Sequence, residues 1–276
     1  MLTPEKLKPF AEDARALGAE AFVVASYGKI VPQALLDLVP VAFNVHPSLL
    51  PLYRGATPLQ SAIRDGRTQT GVTIIAMDAG MDTGDVLLQE PTPLGPAETY
   101  GELHDRLAVR GAELAVEALQ RYADGSLARR TQTEVAREHG VTDAETAATA
   151  TRPLRKDDLT ILPGMRPGQA VDLVRSLAPS PLARQPLYDG QLKVQTAHVA
   201  FADELDGAFT PPDHGPGALS YRIGDAWRMA LHVHGGHVIF DTVIAPNRGP
   251  VTGASFAQRS FDVTARSGTA AKVGGA

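Results

Sequence analysis

Residues Ala21 to Tyr27, AFVVASY, form one continuous apolar run. A run this long without polar alternation predicts a strand covered on both faces, as in a parallel sheet flanked by helices. Gly28 breaks it. Residues 5–17 read as a short helix ahead of the run, and helical spacing resumes from Val31 to Leu38. Val41 to Asn44, Gly71 to Met77 and Val86 to Gln89 are the next strands. Between the second and third, Thr57 and Pro58 supply a cap and a first-turn proline for a helix over Leu59 to Asp65, which Gly66 stops. A long helix spans Thr99 to Ala123, with Leu103, Leu107, Leu114, Leu119 and Tyr122 on one stripe. Strands alternating with helices predict a partial doubly wound, Rossmann-like α/β domain over residues 1–125.

The pattern then changes. Residues 126–150 are polar and rich in Ala and Thr, without an apolar period, and read as a linker. From 151 to 262 one helix, Gly168 to Leu177, precedes short strands broken by Pro and Gly. These are Leu192 to Thr196, Gly217 to Tyr221, Trp227 to Val233 and His237 to Val243. Such spacing predicts a small, OB-like β-barrel. Residues 263–276 are small and polar, as in a disordered tail.

Composition narrows the function classes. The absence of cysteine rules out disulfide scaffolds, thiolate metal sites and thiol nucleophiles. No stretch approaches the ~18 apolar residues of a membrane span. The first residues, MLTPEKLKPFAED, are charged and lack the apolar core of a secretory signal. The expectation is a cytoplasmic protein with no membrane partner. A net charge of -5 argues against non-specific coating of nucleic acid, but leaves room for a local basic patch.

The chemistry concentrates between Phe43 and Asp85. Asn44 and His46 leave the end of a strand, and at period two they point to the same side. Ligands of open α/β sheets bind at that edge. The loop Asp78-Ala79-Gly80-Met81-Asp82-Thr83-Gly84-Asp85 follows the third strand and can bring a carboxylate to the imidazole. Amide, imidazole and carboxylate together suit acyl transfer. The amide and a protonated His stabilise an oxyanion, and the carboxylate keeps His charged and relays a proton. Taken singly, Asn-X-His is more often a capping or turn pair, and the Asp/Gly loop a tight turn. The loop's spacing is not that of an EF-hand.

The two runs NVHPSLLPLYRGATPLQ and GVTIIAMDAGMDTGDVLLQ resemble the signature of formyltransferases that use 10-formyltetrahydrofolate. That resemblance implies catalytic roles for Asn44, His46 and Asp82, with a substrate amine attacking the formyl carbon. It implies a pterin pocket at Tyr27, Gly28, Lys29, Ile30 and Val31, completed by Met77, Asp78, Ala79, Gly80 and Met81. It places substrate contacts at Ser48, Leu49, Leu50, Pro51, Arg54 and Gly55, and implies no resident metal. RGATP and the barrel-like second half look like the methionyl-tRNA branch, whose amine belongs to initiator methionyl-tRNA in translation initiation. The alternatives are a formyltransferase on a small amine such as an amino sugar, or an inactive truncated remnant.

By the same resemblance the chain starts near the family's third helix, so the first strands and a basic tRNA-reading loop are expected to be missing. Such a chain should fold poorly or self-associate, whereas a complete one would be a monomer. Arg129, Arg130, Arg152, Arg155 and Lys156 are candidate phosphate contacts, each as readily a solvated surface charge. His232, His234 and His237 lie close together, with 232 and 234 sharing a strand face. A metal site there is the less favoured reading.

Overall fold

A computed structural model describes residues 10–28, 31–187, 190–201, 204, 219–223 and 226–259. Lys29, Ile30, the segment 205–218 and the expected tail 263–276 lie outside the described residues. The chain divides into two compact units, the first comprising 1–62, 67–96 and 102–153 and the second 63–66, 97–101 and 154–276.

The first unit holds a four-stranded sheet in the order β1-β2-β3-β4, formed by β1 (Ala21–Ala25), β2 (Val41–His46), β3 (Gln69–Ala76) and β4 (Val86–Pro93). β1 and β2 are parallel, but β2 pairs with β3 and β3 with β4 antiparallel. The sheet is therefore mixed. Only the nine residues 77–85 separate β3 from β4, far fewer than a parallel crossover requires. β3 carries the fully buried pattern expected of a central strand, seven of its eight residues being inaccessible. β1 does not. Among the described residues it has only β2 as neighbour, and Val23 is 46% exposed, so the covering predicted for AFVVASY is met there on one side alone.

Three helices of this unit were legible from local signals: α1 (Phe10–Ala16), α2 (Gln33–Leu36) and α4 (Tyr100–Ala123). The fourth, α3 (Pro58–Arg64), starts at the proline read as its first residue. The buried stripe of α4 is Leu103, Leu107, Gly111, Leu114, Ala115 and Ala118, and Tyr122 falls outside it at 38% exposed. Gly111 sets how closely the helix approaches. A Cβ there would lie 2.8 Å from Val45 Cγ1.

The stretch 126–150 is not a linker. It folds as α5 (Gln132–His139) and α6 (Asp143–Ala148) within the first unit. Thr131 caps α5 in a reciprocal box with Glu134, Gly140 ends it in the left-handed conformation, and Thr142 caps α6. Both helices are short, and Val135 is the one fully buried apolar residue between them. The segment therefore shows no hydrophobic period, and the caps were its signal.

The second unit packs α7 (Pro167–Leu177) on an antiparallel sheet ordered β5-β6-β9-β8-β7, with β10 beside β9. The strands are β5 (Ala183–Leu187), β6 (Gly190–Val199), β7 (Leu219–Ile223), β8 (Ala226–Val233), β9 (Gly236–Ile244) and β10 (Pro250–Thr252). Leu159, Ile161, Leu173, Leu177, Leu192, Met229 and Phe240 anchor one core. β5 and β10 were not anticipated. The first contains Pro186 and Arg184, and the second is three residues long. Among the described residues β5 and β7 end the strand order without pairing to each other, so the unit is β-rich but its strands do not close into a barrel there.

Candidate active site

β2 presents Asn44 and His46 on one face, as period two requires. The loop carrying Asp82 reaches them by a route the sequence did not suggest. Because β3 runs antiparallel, it ends beside the start of β2, where the Met77 N–H donates to the Ala42 carbonyl. The loop then brings Asp82 to Asn44 and His46 in the last half of β2, of which His46 is the final residue. The Asn44 Nδ2–H donates to Asp82 Oδ1 at 3.0 Å. The other oxygen, Oδ2, accepts the Gly55 N–H at 2.9 Å and faces His46 Nδ1 at 3.6 Å.

The turn after β2 supplies the rest. His46 Nε2 lies 2.9 Å from the Tyr53 carbonyl. A carbonyl only accepts, so this nitrogen carries the hydrogen. Nδ1 is left toward Asp82, at a distance too long for a hydrogen bond. His46 is 3% exposed. Burial holds its pKa below the usual 6.5, and the Asp82 charge and the Tyr53 bond only partly offset that. Desolvation therefore works against the charged imidazole that the sequence reading expected, and the carboxylate works for it.

Two backbone conformations are specific to this arrangement. Asp82 has φ 55°, the left-handed region that Asp tolerates better than most residues. Gly55 has φ 106°, and a Cβ there would stand 2.1 Å from the Thr151 carbonyl. Glycine alone fits.

The predicted substrate contacts divide. Ser48 and Leu50 are closed off and serve as the internal frame of the turn. Ser48 Oγ donates to the Leu52 carbonyl at 2.7 Å, Thr73 Oγ1 to the Ser48 carbonyl at 2.6 Å, and Gln89 Nε2 to the Leu50 carbonyl at 2.9 Å. Pro51 is buried as well, and Leu49 is half-buried. Arg54 and Gly55 are more accessible. Arg54 gives its Nε and Nη2 hydrogens to Gln132 Oε1 and borders a groove of about 390 Å³ that Pro51, Thr133, Ala136 and Thr146 also line.

Of the predicted folate residues, Tyr27 is 41% and Met81 62% exposed. Val31 and Met77 pack against Leu36, Val39 and Ala42 in one apolar cluster. The Asp78 carboxylate accepts the Gly80 N–H and the Thr83 hydroxyl, which fixes the turn through Ala79. In the second unit His232 pairs across the strands with His237, Nε2 to Nε2 at 3.1 Å, and His234 is exposed beyond them. Among the described residues no trio of His, Asp or Glu is placed to hold a metal.

Residues that sequence reasoning passed over complete the site. Thr151 N–H donates to the Arg54 carbonyl at 2.7 Å, and Tyr53 N–H to Thr149 Oγ1 at 3.3 Å. Gln132 Nε2 donates to the carbonyls of Asp82 and Gly84. Gln132 and Thr149 lie in the segment read as a linker, and Thr151 is the residue that follows it. The capping pattern Thr131-Gln132-Thr133-Glu134 could have exposed it.

The family model described as formyl transferase matches residues 4–119, the span that holds Asn44, His46 and Asp82. Over those residues the chain is similar to the formyl transferases. Among relatives, a methionyl-tRNA formyltransferase of Chromohalobacter salexigens is 40% identical over 226 residues, 81% of this chain and 64% of that protein. One from Alcanivorax borkumensis is 54% identical over 123 residues, 44% of this chain and 37% of that protein. The chain thus spans less than two thirds of the length of these formyltransferase relatives. Solved structures agree in fold. HypX from Aquifex aeolicus, in complex with tetrahydrofolic acid, superposes with a TM-score of 0.64 at 17% identity, covering 89% of this chain and 40% of that one. WlaRD, a sugar 3N-formyl transferase, gives 0.57 at 16%, covering 83% and 73%.

Proposed function

We propose that the first unit is the formyl-transfer centre of a methionyl-tRNA formyltransferase, acting on the amino group of initiator methionyl-tRNA in the cytoplasm. The observation that carries this reading is the convergence of Asn44, His46 and Asp82 from segments up to 38 residues apart in the chain. The relatives' shared name supports the tRNA substrate over an amino sugar, since the sugar formyltransferase resemblance is one of fold at 16% identity. In the second unit Arg155 and Lys156 are exposed cations suited to phosphates.

The residues present fit a folate. A flat heteroaromatic ring needs an apolar wall beside backbone donors and acceptors. The Val31–Met77 cluster, flanked by exposed backbone at Tyr27–Gly28 and Ala79–Met81, has that character. When bound, 10-formyltetrahydrofolate supplies the formyl carbon. The chain's own groups do the rest. Asn44 spends one amide hydrogen on Asp82 and keeps the second, a donor for negative charge developing on an acyl oxygen. His46, neutral with Nδ1 bare, can take up a proton there. Asp82 then stabilises the imidazolium at the moment it forms.

The test is to incubate the purified chain with 10-formyltetrahydrofolate and charged initiator tRNA, with a nucleotide-linked amino sugar as competitor substrate. Formylmethionine should form, and Asn44→Ala and His46→Ala should abolish it. Transfer to the sugar alone would overturn the substrate assignment. No transfer to either amine would overturn the formyl-transfer reading.

A further inference from the structure

Gln132 opens α5 and is 6% exposed, yet both ends of its amide are occupied. Oε1 accepts the Nε and Nη2 hydrogens of Arg54 at 2.9 and 2.7 Å. Nε2 donates to the Asp82 carbonyl at 2.8 Å and the Gly84 carbonyl at 2.9 Å. One buried side chain therefore joins α5, the turn after β2 and the loop between β3 and β4. Such a network holds its members rigidly only while every bond is made.

We propose that Gln132 is the positioning residue for Asp82: its amide clamps the two carbonyls flanking Thr83 and so fixes where the Asp82 carboxylate stands relative to Asn44 and His46. The backbone at Asp82 is in the left-handed region, a conformation that persists only when its surroundings impose it. The carboxylate itself is held by Asn44 and the Gly55 N–H, but neither fixes the peptide that carries it. Gln132 does, through the Asp82 and Gly84 carbonyls. Without the clamp the loop relaxes and the carboxylate moves away from the imidazole. The formyl-transfer reading enters only through the rate measurement, and the geometry stands apart from it.

The experiment compares Gln132→Met, which keeps the length and loses every hydrogen bond, with Arg54→Met, which removes the Arg54 tether and leaves the clamp. The His46 imidazole is titrated by NMR in both and in the wild type, and each thermal midpoint is measured. Asp82 is the charged group facing His46 and favours its protonation, so its retreat should move the His46 titration to lower pH in Gln132→Met. In Arg54→Met the titration should stay in place. In the transfer assay Gln132→Met should lose kcat on the order of 100-fold, the scale of a misplaced reacting group, with the KM for folate little changed. A wild-type titration in Gln132→Met, or an equal shift in Arg54→Met, would overturn the proposal. Gln132→Leu replaces the methionine variant if that one does not fold. A wild type inactive on both amines would defeat the formyl-transfer reading, while the titration still decides the role of Gln132.

Discussion

The Tyr53 carbonyl accepts the Nε2 hydrogen of His46 at 2.9 Å, and that bond decides which imidazole nitrogen remains for chemistry. Tyr53 itself stands in the left-handed region, with φ 59°. Nδ1 is then confined to the side of Asp82.

Asp82→Asn should separate charge from shape. An asparagine tolerates the left-handed backbone and still offers an oxygen to the Gly55 N–H. The fold should survive, with the His46 titration moved to lower pH because the Asp82 charge that favours its protonation is gone. Formyl transfer should fall by ~10²–10⁴, the usual worth of a proton-handling group. NMR titration and steady-state rates check both, and an unmoved His46 would show that the carboxylate does not act on it.

Stability should carry the mark of His46 in its pH dependence. Its folded pKa lies below 6.5, so on acidification the unfolded chain takes up this proton first. The contribution is therefore present above the unfolded pKa and is lost as pH falls through the folded one. His198 has the opposite sign: Asp241 and Glu204 raise its pKa despite partial burial, and its contribution is lost as pH rises. In urea unfolding, the difference between wild type and His46→Gln should shrink from about pH 7.5 to about pH 5.5. The difference from His198→Gln should shrink in the other direction. Parallel curves for both variants would contradict the assignment.

Gly55→Ala should be destabilising out of proportion to one methyl group. The φ of 106° and the Thr151 carbonyl 2.1 Å from the added Cβ leave the turn no way to keep its conformation. A loss of about 1–3 kcal/mol is expected for strain of this kind. Thermal and urea denaturation read it directly, and an unchanged midpoint would mean that the turn is looser than it stands here.

In the second unit, Leu173→Ala should leave a cavity under α7. Leu173 is 1% exposed within the core shared by Leu177, Leu192 and Phe240. The expected loss is about 2–5 kcal/mol. With no transfer chemistry assigned to this residue, kcat on a small formyl acceptor should hold at temperatures where the variant is folded.

Local pattern was enough to place the long helices and every strand but β5 and β10, because periodicity and caps act over a few residues. The 3.6-residue stripe of α4 and the Pro58 start of α3 were both readable, and period two put Asn44 and His46 on one face. What lay beyond reach were relations across long stretches of chain. The antiparallel β3 brings the Asp82 loop back beside β2, and no apolar run distinguishes that from a parallel crossover. Gln132 meets Asp82 across 50 positions, from helices too short to show a hydrophobic period. The proton on His46 depends on a burial that no residue type announces. Each is a balance of desolvation and distant hydrogen bonding, which exists only once the chain has closed on itself.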